Sequence, residues 1–559
     1  MKVRFLLYAY TLLVIFLVVS ACKNEKANPI PEIEAIDLLR GDILLCGGEE
    51  FGQVSFEFTC KNSMRATFNL AISLLHSFEY EEAEKAFVKV IDGDPNCAMA
   101  YWGVAMSIYH ALWKAPTERE LEKGLSLILM AESRAQSRRE RDYISAVGAF
   151  YKDWKTTSHE TRASRLEKAM EKVYKAYPQD KEAAIFYALA LNSTADPTDK
   201  TYENRKKAGS ILENIFPDQP NHPGIAHYII HNYDNPKLAD QALTTARKYA
   251  TIAPSSAHAQ HMPSHIFTRL GLWDESIQSN LNSAEAARCY AEQRGMEGNW
   301  TSELHALDYL MYAYLQKGDT KRAYKLYDYI EQIQKVTGNN ASISYPFAAI
   351  PARMVLENKD WVKAANLPYH QVEMQWESFP WERSIYHFTR AIGASHIGNI
   401  SLAEKELKTL KLMHENLEAQ DEQYKADQVM VQIHAARAWL EYAKGNHELA
   451  IKHMMESVDL EDSTEKHPVT PGELIPAGEL LGDLMIQLSR PDEALVAYEK
   501  SLSLSPSRFN GLYGAANAAN RIGDSKKAAF YFGELLKLSE GTSSDRSEIQ
   551  EAKSFLNQI

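Results

Sequence analysis

Apolar and small residues along this chain recur three and four positions apart, the spacing of a helix face, and the pattern itself returns every 34 residues. In Phe78-Glu79-Tyr80-Glu81-Glu82-Ala83-Glu84-Lys85-Ala86-Phe87, with Val90 and Pro95 beyond, small and aromatic residues hold fixed places among charged ones. Counting one unit from Met64, the next begins at Ala98 with no insertion. Later units fit starts near Lys181, Pro223, Ala257, Leu304, Tyr345, Ser384, Val431, Ile475 and Arg508 or Phe509. Glycine marks the middle of many of them, as in Gly271-Leu272-Trp273, Gly318 with Ala323, Gly398 with Ala403, Gly445 with Ala450 and Gly523 with Ala528. Each unit predicts two antiparallel helices with a glycine or polar turn between them. The absence of strand-like alternation disfavours an α/β enzyme.

The period and its small and aromatic positions resemble the tetratricopeptide repeat (TPR). That resemblance implies an all-α solenoid of roughly ten or eleven helix-turn-helix repeats in a right-handed superhelix, with the first helix of each pair lining the concave face. It covers 64–559, with insertions near 115–180 and 290–300 and a cap segment at 41–63. Longer phrases, Asp94-Pro95-Asn96-Cys97-Ala98-Met99-Ala100-Tyr101-Trp102-Gly103 and His261-Met262-Pro263-Ser264-His265-Ile266-Phe267, resemble a family of bacterial TPR proteins. This second resemblance implies the helical fold and brings no activity with it.

The N-terminus has a different pattern. Lys2 and Arg4 precede an apolar stretch from Phe5 to Val19, which suits a secretory leader over 1–21 and is too short for an ordinary membrane span. Val19-Ser20-Ala21-Cys22 resembles a bacterial lipobox, which implies cleavage before Cys22 and lipidation of its thiol. Lys23 and Asn24 then imply sorting to the outer membrane, and Glu25, Asn28, Pro29 and Pro31 belong to a polar tether over 22–40. The membrane is a partner through this anchor only, on the periplasmic or the surface side.

At 559 residues the chain is too long for one compact core, in keeping with repeats. A formal charge of −13 and the lack of a basic run argue against a nucleic-acid partner. Cys46, Cys60, Cys97 and Cys289 remain for disulfides in an oxidising compartment. Cys60 and Cys97 precede first helices at nearly corresponding repeat positions and are the favoured pair, with Cys46–Cys60 as the rival. No phosphate loop, dinucleotide fingerprint or nucleophile elbow is present, so no catalytic residue is assigned.

The histidines change the picture. Six of the 18 fall between His222 and His265. His227 and His231 occupy repeat positions 5 and 9, His261 and His265 occupy positions 5 and 9 of the next repeat, and His258 and His305 occupy position 2 of theirs, with Asp308 at position 5. These seven residues are the predicted metal ligands. Pairs one helical turn apart suit a shared ion, zinc or copper, and three histidines with Asp308 would leave an open position. His222, His76, His110, Trp102 and Met106 are further groove candidates. Asn232, Tyr233, Asp234 and Ser264 are placed to support ligands from behind. Two function classes follow: a scaffold or receptor holding a peptide or protein in the groove, and a metal site that stores an ion or serves a hydrolase or oxidase. No glutamate lies inside either histidine pair, which argues against a metalloprotease helix.

Overall fold

The computed structural model describes residue 33 and residues 36–46, 48, 50–112, 115–196, 198–338, 340–467 and 469–558. The expected leader and Cys22 lie outside them. The described residues up to 39 belong to one unit and those from 40 onward to a second. All that follows concerns the second.

Helical pairs follow one another along the chain. The first five are α1 (Arg65–His76) with α2 (Tyr80–Gly93), α3 (Ala98–Tyr109) with α4 (Glu118–Arg134), α5 (Arg138–Tyr151) with α6 (His159–Ala176), α7 (Lys181–Ser193) with α8 (Glu203–Ile215), and α9 (Pro223–Tyr233) with α10 (Leu243–Ile252). The sixth splits its first helix into α11 (Ala257–His261) and α12 (Pro263–Arg269) before α13 (Trp273–Gln293). Next come α14 (Thr301–Gln316) with α15 (Thr320–Glu331), α16 (Ala341–Glu357) with α17 (Trp361–Ala365), and α18 (Pro380–His396) with α19 (Ile400–Ala419). The last are α20 (Gln423–Ala443) with α21 (His447–Ser463), α22 (Ala477–Gln487) with α23 (Pro491–Leu504), and α24 (Phe509–Arg521) with α25 (Ser525–Leu538), followed by α26 (Ser547–Leu556). Among the described residues there is no strand, only an isolated bridge between Asn299 and Val336. This is an all-α solenoid of TPR-type helix pairs, because each helix buries its apolar stripe against its chain neighbours and none could do so alone.

The segment expected as an insertion near 115–180 is itself helical. Thr117 and Ser137 open α4 and α5 through capping boxes with Glu120 and Glu140, so the region supplies the second helix of one pair and a further complete pair. Around 290–300 the chain connects α13 to α14, and Asn299 pins it to Val336. One turn glycine shows why the period keeps that residue: Gly318 has φ +65°, and a Cβ there would meet the Phe509 ring at 2.6 Å.

Neighbour stacking does not complete the architecture. Helix α1 also packs on α9, and α14 also packs on α24. Gln53 N donates to the Asn221 carbonyl (2.9 Å), and disulfides join Cys46 to Cys289 and Cys60 to Cys97. The connection from α21 to α22 reaches inward: Tyr309 donates to the Thr470 carbonyl (3.1 Å) and Arg353 to that of Gly472 (3.1 Å). The inner side of the histidine repeats is thus packed by the chain itself.

Arg508 ties the C-terminal repeats to the middle ones. It is fully buried and reaches Glu357 (2.7 Å), Glu479 (2.5 Å) and the Tyr312 hydroxyl (2.7 Å). Burial alone would depress its pKa, but Glu357 and Glu479 outweigh that and hold the guanidinium charged. Removing it would strand two buried carboxylates. Arg508→Ala is expected to destabilise the protein by about 3–5 kcal/mol, read as a lower urea midpoint. A midpoint within error of the parent would contradict this account.

Candidate metal centre

Local sequence places the histidines. Pro223 at the first position of α9 suits a helix start, and His227 and His231 follow one turn apart on one face. The Ser256 side chain caps α11 by accepting from Ala259 N (3.0 Å). Pro263 interrupts the helix, yet His265 still lies one turn beyond His261.

These residues converge in two trios. In the first, His227 Nε2 lies 3.0 Å from His258 Nε2 and 3.1 Å from His231 Nε2. In the second, His261 Nε2 lies 2.9 Å from His265 Nε2, and a ring nitrogen of His305 falls within 4.8 Å of a ring nitrogen of each. A tetrahedral ion with metal–nitrogen bonds of roughly 2.0–2.1 Å keeps its nitrogens about 3.3 Å apart. The His227–His258, His227–His231 and His261–His265 separations differ from that by a few tenths of an ångström.

The opposite edges of three rings are committed. His227 Nδ1 donates to the His76 carbonyl (2.6 Å), His261 Nδ1 to Asn280 Oδ1 (2.7 Å) and His265 Nδ1 to Asp234 Oδ2 (2.8 Å). The Asn280 amide nitrogen donates to the Ser276 carbonyl (2.8 Å), which turns its oxygen toward His261. Asp234 also accepts from Arg269 (2.9 Å) and Lys466 (3.1 Å). Burial alone would raise the Asp234 carboxyl, but Lys466 and Arg269 outweigh it and hold the group well below the usual carboxylate range.

Fixing Nδ1–H leaves Nε2 of a neutral imidazole with a bare lone pair. His261 and His265 therefore point two lone pairs at each other across 2.9 Å. A shared cation reconciles them, and a proton is disfavoured at neutral pH. Burial pushes His227 and His305 down to about 3 and holds His231, His258 and His261 well below the usual range, and neighbouring imidazoles add to the effect. Burial lowers His265 too, against the pull of Asp234. Neutral imidazoles converging in threes are a donor set suited to zinc or copper.

Each trio has an aromatic floor. The Phe78 ring centre lies 4.4 Å from His227, 5.6 Å from His231 and 5.6 Å from His258. Its backbone is in the left-handed region, φ +59°, an unfavourable conformation for a bulky residue. Tyr309 lies 4.6 Å from His261, 5.2 Å from His265 and 5.3 Å from His305. His231 and His258 are partly exposed, whereas His227 (0%), His261 (2%) and His265 (3%) are buried. A cavity of about 210 Å³ adjoins the site and shares Lys466 and Arg269 with it.

Other predicted residues go elsewhere. Asp308 pairs with Arg353, both buried, so it serves as that guanidinium's counter-ion and is not among the converging donors. Burial pushes its carboxyl up to about 6 despite Arg353. His76 and His222 each donate from Nε2 to Glu182 at 3.0 Å, and His76 Nδ1 meets the Tyr228 hydroxyl at 3.0 Å. Both His76 nitrogens are taken up in this knot, whereas His222 Nδ1 is buried with no hydrogen-bond partner among the described residues, and His76 meets the first trio through its carbonyl. His110 ends α3 in a left-handed turn against Tyr80, 4.9 Å between ring centres. Trp102 and Met106 are buried, Trp102 between Phe56 and Phe186. Asn232 donates to the Tyr228 carbonyl, and Ser264 lies 3.5 Å from His261 Nδ1. Phe78, Asn280, Arg269 and Lys466 were not legible as site residues, although a basic residue four positions beyond His265 is a usable signal for Arg269.

No protein-family model matches the sequence, and no curated protein does. Among solved structures, yeast Tom70 is similar at 13% identity, with 89% of this chain and 96% of that one covered and a TM-score of 0.34. Human IFIT1 with m7Gppp-AAAA gives 13%, 84%, 95% and 0.34 in the same order. A tetratricopeptide repeat protein from Parabacteroides merdae gives 13%, 54%, 97% and 0.29.

Neutral buried rings make stability depend on pH. Between the ordinary 6.5 and the depressed values near 3 of His227 and His305, the unfolded chain binds more protons, so stability falls as pH falls. In chelator, the unfolding temperature should hold from pH 8 to about 6.5 and then drop toward pH 4. His227→Asn with His305→Asn should flatten part of that drop. An unfolding temperature constant from pH 7 to 4 would refute the assignment.

Proposed function

We propose that this chain is a lipid-anchored helical-repeat protein of the outer membrane whose inner face holds a histidine-built metal centre for zinc or copper. The observation that carries the metal reading is the 2.9 Å approach of His261 and His265 Nε2, whose Nδ1 hydrogens are both committed on the far side. The lipobox at Val19–Cys22 supports the anchor, and two disulfides suit an exported protein. Storage or transfer of an ion, or hydrolytic or oxidative chemistry on a small molecule, fits a site enclosed by packed helices.

A peptide-holding scaffold is the second reading. The helical-repeat fold supports it, although the cleft lined by Tyr345, Trp381, Tyr424 and His467, at about 50 Å³, has room for no more than a small side chain.

Metal content of the full chain, purified without a histidine tag, separates the two. Elemental mass spectrometry should find near-stoichiometric metal, lost in His258→Ala with His305→Ala while circular dichroism stays unchanged. Metal-free protein that also refuses added zinc and copper would leave the scaffold as the function.

The carboxylate behind His265 has its own test. Asp234→Asn keeps the shape but removes the charge, and it is expected to weaken metal retention by roughly 10–100-fold in chelator competition. Parental retention in that variant would show that Asp234 does not tune the site.

A further inference from the structure

The two trios are copies of one arrangement, related by the repeat. The first takes positions 5 and 9 of the Pro223 repeat (His227, His231) and position 2 of the next (His258). The second takes positions 5 and 9 of the Ala257 repeat (His261, His265) and position 2 of the next (His305). Both have an aromatic ring against all three imidazoles. They are also adjacent: His258 and His261 share α11, and the ring centres of His231 and His265 lie 6.3 Å apart.

We propose that the trios form one binuclear copper centre, three histidines to each ion, that takes up dioxygen between the ions. This rests on the metal-site reading above.

Donor chemistry narrows the ion. All six donors are imidazole nitrogens, with no carboxylate or thiolate among them, which disfavours magnesium, calcium and manganese. Among divalent ions that imidazole suits, copper binds most tightly. Three protein ligands leave each ion an open position.

Local charge then favours the reduced pair. Asp234 binds His265 together with Arg269 and Lys466, and Glu465 and Glu473 also act on these cations. Two cupric ions on six neutral ligands would place more charge in this largely buried site, whereas two cuprous ions add half as much. On meeting dioxygen, each cuprous ion gives one electron. The oxygen molecule becomes a bridging peroxide dianion, its O–O bond intact, and both coppers become cupric. No proton is needed, and the total charge of the site is the same before and after. His231 and His258, partly exposed, leave a way in for a diatomic molecule.

The test loads the metal-free full chain anaerobically with the cuprous acetonitrile complex, counts copper, admits dioxygen, and follows its uptake and the electron spin resonance intensity. The expected result is two coppers per chain, one dioxygen consumed per two coppers, and a spin count far below two. His258→Ala and His305→Ala should each retain one copper and show a full single-spin signal in air. Two coppers with two full spins, or a single copper in the parent, would overturn the pair while leaving a metal site. Retention of zinc with refusal of copper would do the same. Refusal of both metals would overturn the metal-site reading along with the pair.

Discussion

An imidazole has two nitrogens, and fixing the hydrogen on one decides what the other can do. Here the fixing groups come from distant parts of the chain: the His76 carbonyl at the end of α1, Asn280 in α13 and Asp234 just beyond α9. The His76 carbonyl and Asp234 come into position only when separate repeats have packed together, whereas Asn280 reaches His261 within its own helix pair. Asp234 depends in turn on Lys466, which lies on the connection between α21 and α22. For His227 and His265 the direction of the Nε2 lone pair is therefore a property of packed repeats, and a single helix pair cannot produce it.

That dependence explains what the sequence revealed and what it hid. The helical fold and the turn glycines were legible because the 34-residue period is local chemistry repeated. The pairs His227/His231 and His261/His265 were legible for the same reason, since one helical turn fixes their face. The segment 115–180 was read as an insertion because its longer helix α4 breaks the period, although the Thr117 and Ser137 capping boxes are present in the sequence. Asp308 was misassigned to the donors because its partner, Arg353, lies 45 residues away and no spacing rule connects them. Phe78 was invisible for a different reason: it reaches the first trio only through a left-handed turn that its residue type disfavours.

Burial sharpens the chemistry of the site at a cost in stability. A buried neutral histidine contributes less than a leucine of similar size, and two bare nitrogens facing each other oppose folding outright. The chain nevertheless keeps six such rings together and holds Phe78 in an unfavourable conformation beneath three of them. Consistency across levels fails here, which is where a functional constraint is expected to show.

Repetition gives such a cluster its particular form. In a solenoid, any position on the first helix recurs on the next pair a fixed step away, so a ligand set spanning two repeats is copied when its residues are copied. Positions 5 and 9 with the following position 2 meet that condition twice, over α9 to α11 and over α11 to α14. The anchors behind the rings are not copied: a backbone carbonyl holds His227 and a side-chain amide holds His261. The repeat thus supplies two equivalent triads of nitrogens, and the non-repeating contacts around them make the two environments unequal, the first partly open and the second enclosed.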